Sequence, residues 1–269
     1  MSDDGPDGSG GHDSSGGHDD TAVPDAAAGH DTHDPLRRLR RLASALFAVL
    51  LALLVASAVT QPASTLAVRA GLVVEGGNGW QLLRTVVQFG GFLLAALAYL
   101  AITDEWDLFR LSRLSRRDAG LVVSVAVALL VFQYAALFGL QLAGLGTARN
   151  QATVPGGDPI IYYLAMIAVS LLVVGPVEEL LFRGVVQGGI RRAFDALPAI
   201  LIASLLFGLI HLPGVDGSPA EQWAYVGIAA TLGCVLGLLY ERTDNVLIPG
   251  LAHGLYNAMI YVVLLVDSL

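Results

Sequence analysis

The segment IIYYLAMIAVSLLVVGPVEELLFRGVVQ, residues 160–187, runs apolar for 18 residues and then carries Glu178, Glu179 and Arg183. A length of about 20 apolar residues spans the hydrocarbon layer, so the segment reads as a membrane helix with charge inside it. Charged side chains at the centre of such a helix cost roughly 2.5–3.5 kcal/mol each on insertion scales and generally mark function. The rest of the chain agrees with a membrane setting. Its 269 residues are 55% hydrophobic with a mean hydropathy of +0.65, which predicts an all-α, polytopic transmembrane helical bundle. Seven spans are expected, at roughly 42–60, 81–103, 119–142, 160–187, 197–212, 222–240 and 246–266.

Residues 1–34 differ in kind, with nine Asp, no basic residue and many Gly and Ser. This composition predicts a disordered acidic tail, followed by N-terminal transmembrane helices over 35–159 and a site-bearing region over 160–266. The tail holds His12, His18, His30 and His33, but their irregular spacing reads as a solvated linker before a metal cage. With the polar tail ahead of it, the first apolar run reads as an anchor and not as a cleaved leader. A single Cys234 excludes a disulfide within one chain.

All 15 basic residues are Arg. Because cytoplasmic loops carry the excess of positive charge, the distribution gives orientation. Arg37, Arg38, Arg40, Arg41, Arg110, Arg113, Arg116, Arg117, Arg183, Arg191, Arg192 and Arg242 fall on one side, and Arg69, Arg84 and Arg149 on the other. This predicts a multi-pass cell-membrane protein with a cytoplasmic N-terminus and an external C-terminus. At 1.5 Å rise per residue, Glu179 then lies about 18 Å deep, His211 about 21 Å and His253 about 15 Å. Three helices would bring polar groups to one depth.

Glu179 and Arg183 are four apart, so they share a helix face and can pair, while Glu178 turns about 100° away. A structural salt bridge explains the first two residues only. His211 in FGLIHLP either caps a helix near the outer interface or serves chemistry. His253 and Asn257 in LAHGLYNAM again share a face, and an interhelical hydrogen bond is the plainer reading. Pro249 and Gly250 ahead of them are expected to break the helix start and open a wet notch. A carboxylate and an imidazole holding water, with a second imidazole and an amide facing a developing oxyanion, are the parts needed to hydrolyse an amide bond.

The motifs Glu178-Glu179-x-x-x-Arg183, Phe207-x-x-x-His211 and His253-x-x-x-Asn257 together resemble those of the CPBP intramembrane proteases, the group that includes the Rce1-type CAAX prenyl protease. The resemblance covers residues 160–260. It implies a helical membrane fold with an internal cavity open to the cytosol, and endopeptidase activity on a membrane-associated, including prenylated, protein or peptide. It further implies Glu178 as the base that activates water, aided by His211. Glu179 and Arg183 become supporting partners, and His253 and Asn257 oxyanion donors. Glu178, His211 and His253 would also suit zinc with an open position. A water mechanism requiring no cofactor is preferred.

Other readings make different use of the residues. Acids within spans also mark ion or proton pathways in transporters, although no internal repeat with paired broken helices is visible. A non-catalytic membrane scaffold would tolerate loss of every polar residue named. There is no His-Glu-x-x-His and no Gly-x-Ser-x-Gly. Ser170 and Ser204 are expected to pack and bond back to their own helices. Gly184 with Gly188 and Gly233 with Gly237 are expected at close helix contacts. The partners are peptide and lipid bilayer, and the arginines give no basic patch for nucleic acid beyond what anionic headgroups explain.

Overall fold

A computed structural model describes residues 34–269 of the chain. The expectation of disorder for the acidic tail therefore lies outside the described residues, except for Asp34, whose carboxylate accepts from the Leu36 amide and caps the first helix. Among the described residues, seven helices are long and apolar enough to cross a membrane. The protein is a multi-pass, all-helical membrane bundle.

The spans are α1 (Pro35–Arg69), α2 (Asn78–Thr103), α3 (Arg116–Leu142), a composite fourth span from Pro159 to Arg191, α7 (Ala196–Leu209, prolonged by a short turn to Gly214), α8 (Pro219–Thr243) and α9 (Leu247–Asp267). Several starts are capped by side chains. Ser115 and Ser218 form capping boxes with Asp118 and Glu221, and Asp158 accepts from the amides of Ile160 and Ile161. Asp104 and Asp244 close α2 and α8 in the left-handed conformation. The first span is longer than the expected 42–60 at both ends: the Asp34 cap and the arginine-bearing turns after it extend the helix before residue 42, and it continues past residue 60 to Arg69.

The fourth span is not a plain α-helix. It passes through α4 (Pro159–Val169), a π-helical turn (Ser170–Val174), α5 (Gly175–Glu179), a second π-helical stretch (Leu180–Gln187) and α6 (Gly188–Arg191). Pro176 lacks an amide hydrogen and its ring crowds the preceding turn, so widening the helix just before it relieves both problems. Single π turns of this kind frequently accompany functional sites.

Small residues set the packing. Ala45, Ala48, Ala52 and Ala56 form a buried stripe on α1 facing Phe92, Ala95, Ala96 and Tyr99 of α2. Gly208 lets α7 approach α8, since a Cβ there would lie 2.7 Å from the Val226 carbonyl. The closest approach joins α5 to α9: a Cβ on Gly175 would strike Gly254 and the Gly250 carbonyl, and one on Gly254 would lie 2.7 Å from the Ser170 carbonyl. Gly250 and Gly254 are thus a small-residue pair that the sequence reading overlooked. The helix break expected at Pro249 and Gly250 does not occur. Pro249 sits in the first turn of α9, where no amide donor is needed, and the space beside Gly250 is taken by Pro176. The expected close contacts do form at Gly233 and Gly237 against Phe207, Ser204 and Gln187, and at Gly184 and Gly188 against Leu108.

Ion pairs gather the arginine-rich connections on one face. Arg41 and Arg192 both reach Glu105, at 2.5 and 3.2 Å, Arg192 also holds Asp107, Arg110 pairs with Asp244, and Arg191 lies 3.1 Å from Glu241. On the opposite face Asn78 and Gln81 donate to the carbonyls of Asp158 and Val154. There a two-residue antiparallel ladder forms between β1 (Arg149–Asn150) and β2 (Val215–Asp216). The alternation of seven spans is consistent with these two sets of contacts.

The Gly175–Gly254 approach yields a stability test. Gly254→Ala should lower the thermal unfolding midpoint in detergent, at a cost of about 1–3 kcal/mol for overpacking. Gly90→Ala, whose added Cβ meets nothing within 4 Å, should leave it unchanged or raise it, by about 0.5–1 kcal/mol for a helix interior. The reverse order would rule out the close contact.

Candidate active site

The depth coincidence expected of three helices is a shared cavity in the structure. A void of about 910 Å³ is lined by Glu178, His211, His253 and Asn257, together with Phe207, Tyr225 and Tyr256. Glu179 and Arg183 do not line it; they stand behind its wall, fully buried at 0% exposure.

Behind the wall, the charges satisfy one another. Arg183 Nε donates to Glu179 Oε2 at 2.7 Å, and its Nη1 reaches Ser204 Oγ at 3.4 Å. The other oxygen of Glu179 lies 3.0 Å from His253 Nδ1. Since Arg183 is always charged, Glu179 acts as a carboxylate acceptor, and His253 must donate its Nδ1 proton to it. Both oxygens of Glu179 are thereby taken. The remaining ring nitrogen, His253 Nε2, lies 3.6 Å from Glu178 Oε2. His253 therefore links the two glutamates, a relation that its expected part as a simple oxyanion donor does not include.

Phe207 organises the aromatic side of the site. Its ring packs edge-on against Phe182 at 5.2 Å, His211 at 4.9 Å and His253 at 5.6 Å, and lies 5.4 Å from the Arg183 guanidinium. His211 follows the end of α7, and its Nδ1 meets the Phe207 carbonyl at 2.7 Å. A carbonyl only accepts, so Nδ1 carries the proton and the lone pair of the neutral ring sits on Nε2. The histidine is held by its own helix end and also borders the cavity, so capping and chemistry are compatible. Asn257 is half-buried at the cavity wall, and its amide has no hydrogen bond among the described residues.

Several contributors were missed by sequence reasoning. Ser204 was expected to bond back to its own helix, but it faces the guanidinium. Gln187 is fully buried and donates to the Gly237 carbonyl and to Glu241, which also receives Arg191. The spacing Glu179, Arg183, Gln187, Arg191 was legible as a stripe of every fourth residue. Tyr225 beside His211, and Asn150 donating to its hydroxyl at 2.9 Å, join distant loops and had no local signal. No group of three or more His, Cys, Asp or Glu gathered to hold a metal is found among the described residues. In both histidines Nδ1 is the nitrogen that is held, by Glu179 in His253 and by the Phe207 carbonyl in His211, which leaves Nε2 as the other ring nitrogen of each.

The cavity is lined mainly from one side of the bundle. It is lined by residues 53–61 of α1, 80–92 of α2, 129–137 of α3 and 225–236 of α8, and by the loop from Thr147 to Thr153. Most of these lie toward the arginine-poor face, while Phe92 of α2 and Leu232 and Leu236 of α8 fall past the midpoints of their helices. The void therefore runs from Glu178 to the face bearing Arg84 and Arg149, opposite to the one that holds Arg41, Arg110 and Arg192.

Breaking the enclosed pair should be costly and relieving Glu178 cheap. Arg183→Ala leaves a carboxylate buried without its cation and should lose about 3–5 kcal/mol of stability, read as a fall in thermal midpoint in detergent. Glu178→Gln, which keeps shape at the cavity wall, should stay near the parent. Equal falls would contradict this division of roles.

Comparison with known proteins agrees with the motif region. Residues 160–259 match the family model for type II CAAX prenyl endopeptidase Rce1-like proteins. Two proteins of Bacillus subtilis (strain 168) are similar: "Putative membrane peptidase YdiL", 24% identical over 189 residues, covering 68% of this chain and 71% of the relative, and "Uncharacterized protein YpbD", 27% identical over 173 residues, covering 62% and 80%. No solved structure matches. Residues 160–259, which carry every motif of the site, are thus what this chain shares with the Rce1-like family model.

Proposed function

We propose that the protein is an intramembrane endopeptidase that hydrolyses a peptide bond of a membrane-associated protein or peptide, prenylated substrates included, with a water activated by Glu178. The observation that carries this reading is the division between adjacent carboxylates: Glu179 is sealed with both oxygens occupied, while Glu178 borders the cavity alongside His211, His253 and Asn257. The family-model match over the same residues supports it.

In this mechanism water sits between Glu178 and the scissile carbonyl. Glu178 takes one proton as the oxygen attacks carbon, aided by the lone pair of His211 Nε2. The tetrahedral oxyanion accepts from the Asn257 amide and from Nε2–H of a His253 imidazolium whose other proton, on Nδ1, is held by Glu179. As the C–N bond breaks, the protonated Glu178 returns its proton to the departing amine. Arg183 and Glu179 keep the His253 ring in one orientation throughout, with its Nδ1–H directed at Glu179. Cofactors are not required by this scheme.

We further propose the orientation given by the arginines, with the N-terminus cytoplasmic and the C-terminus outside. The cavity then opens on the external face, which departs from the cytosolic opening that the family resemblance implies. A transporter would need access to Glu178 from both faces, whereas the cavity is lined mostly from the arginine-poor halves of the spans. The layer below Glu178, with Phe182, Arg183 and Gln187, is closed at 0% exposure.

Purified protein should cleave an apolar test peptide, and Glu178→Gln should abolish turnover beyond the roughly 10²–10⁴-fold expected of general acid–base catalysis alone. Undiminished cleavage would remove Glu178 from the mechanism. Asn257→Ala should lower kcat by about 10²–10³ with little change in KM. For orientation, a cysteine at Ala152 in a Cys234→Ser background should react with an impermeant maleimide in intact cells. Labelling only after permeabilisation would invert the assignment.

A further inference from the structure

Three charged residues line the cavity, Glu178 at its inner end and Arg84 and Arg149 toward its mouth. Neither arginine lies within ion-pair distance of a carboxylate among the described residues. Arg84 is nevertheless held in place. Its guanidinium lies 4.6 Å from the Trp80 ring centre, and Nη1 donates to Gln61 Oε1 at 3.3 Å and to Ser64 Oγ at 3.4 Å. Those acceptors are neutral and use one nitrogen, while Nε and Nη2 have no hydrogen bond among the described residues. A guanidinium offers five donors in a planar fork that matches a carboxylate two-to-two. Half-buried beside an apolar wall, it is fixed by stacking with part of its fork unused.

We propose that Arg84 is a substrate-recognition residue that binds a carboxylate of the peptide, from an acidic side chain or from the C-terminus, at a set distance from the bond that is cut. The inference rests on the peptidase reading and adds a specificity to it. The distance follows from the helices. Asn78 of α2 donates to the Asp158 carbonyl at 2.6 Å, so the two span starts are level. Arg84 is six residues below Asn78 and Glu178 twenty below Asp158, which separates them by about 20 Å along the axes at 1.5 Å per residue. An extended peptide covers 3.3–3.6 Å per residue, so the carboxylate sits about six residues from the scissile bond. The cavity gives that stretch of peptide a route lined by Phe89, Phe92 and Leu129, with Gln133 and Tyr256 hydrogen-bonded on its wall.

Binding decides the matter without requiring turnover. Full-length Glu178→Gln protein in zwitterionic nanodiscs should bind a fluorescent apolar peptide carrying one Glu about tenfold more tightly than its Gln twin, the size expected of a charge-assisted hydrogen bond. A C-terminal acid and amide pair of the Gln peptide separates the two sources of carboxylate. Adding Arg84→Gln should bring the acidic peptide to the affinity of the neutral one, and Arg84→Lys should retain part of the preference. Wild-type cleavage mapped by mass spectrometry should fall about six residues from the recognised carboxylate. Equal affinities, a preference that survives Arg84→Gln, or a preference abolished by anionic lipid, which would make Arg84 a headgroup anchor, would each overturn the proposal. If wild type cleaves neither peptide, the peptidase reading fails by itself and the binding comparison still stands or falls on Arg84.

Discussion

The structure depends on the enclosure of Arg183 and Glu179. A guanidinium and a carboxylate removed entirely from water demand that nearly every donor and acceptor be answered, because the desolvation cost is repaid only by close geometry and additional hydrogen bonds. Glu179 answers with one oxygen to Arg183 and one to His253. Ser204, the Phe207 ring and the glycines of α8 complete the chamber around the guanidinium. Four helical segments are thereby tied to one charge pair, which makes the site and the fold inseparable over residues 175–257.

That enclosure needs backbones closer than ordinary side chains permit. Gly175 against Gly250 and Gly254 supplies the approach between α5 and α9, and Gly233 and Gly237 leave room for Arg183 and Gln187 against α8. Within lipid, where apolar burial gives little drive for helices to associate, small residues and polar contacts take over that part. The π-helical turns on either side of α5 add the local adjustment, turning Glu178 to the cavity while Glu179 faces the interior. Two neighbouring acids so acquire different surroundings, the arrangement by which one can serve proton transfer while its neighbour only holds a partner in position.

The cavity shows how the two halves of each span divide their labour. Toward the arginine-rich face the interior is packed and cross-linked by Arg41, Arg192 and Arg191 with their acids. Toward the other face the helices spread around a void bordered by Arg84, Arg149 and the short β ladder. Rigidity at one end and space at the other fit a site that must hold its charged groups still and admit an extended chain.

Much of this was legible beforehand in particular residues. Uninterrupted apolar runs dictate membrane helices because lipid offers no partner for exposed backbone. The i, i+4 spacing of Glu179 and Arg183 gives their pairing, since helix geometry alone decides which neighbours share a face. Arginine placement orders the loops into two faces. The helical period could not reveal the π turns, the Gly250–Gly254 contact, the turn of Ser204 toward Arg183 or the junction of Asn150 with Tyr225. Those depend on which helix lies beside which, and on the direction a void takes between them. Sequence determined which residues had to be buried and which could pair locally, Glu179 with Arg183 included; only tertiary structure decided that His253 takes the second oxygen of Glu179 and that a void stands beside Glu178, because those are groups and spaces that other helices bring to each carboxylate.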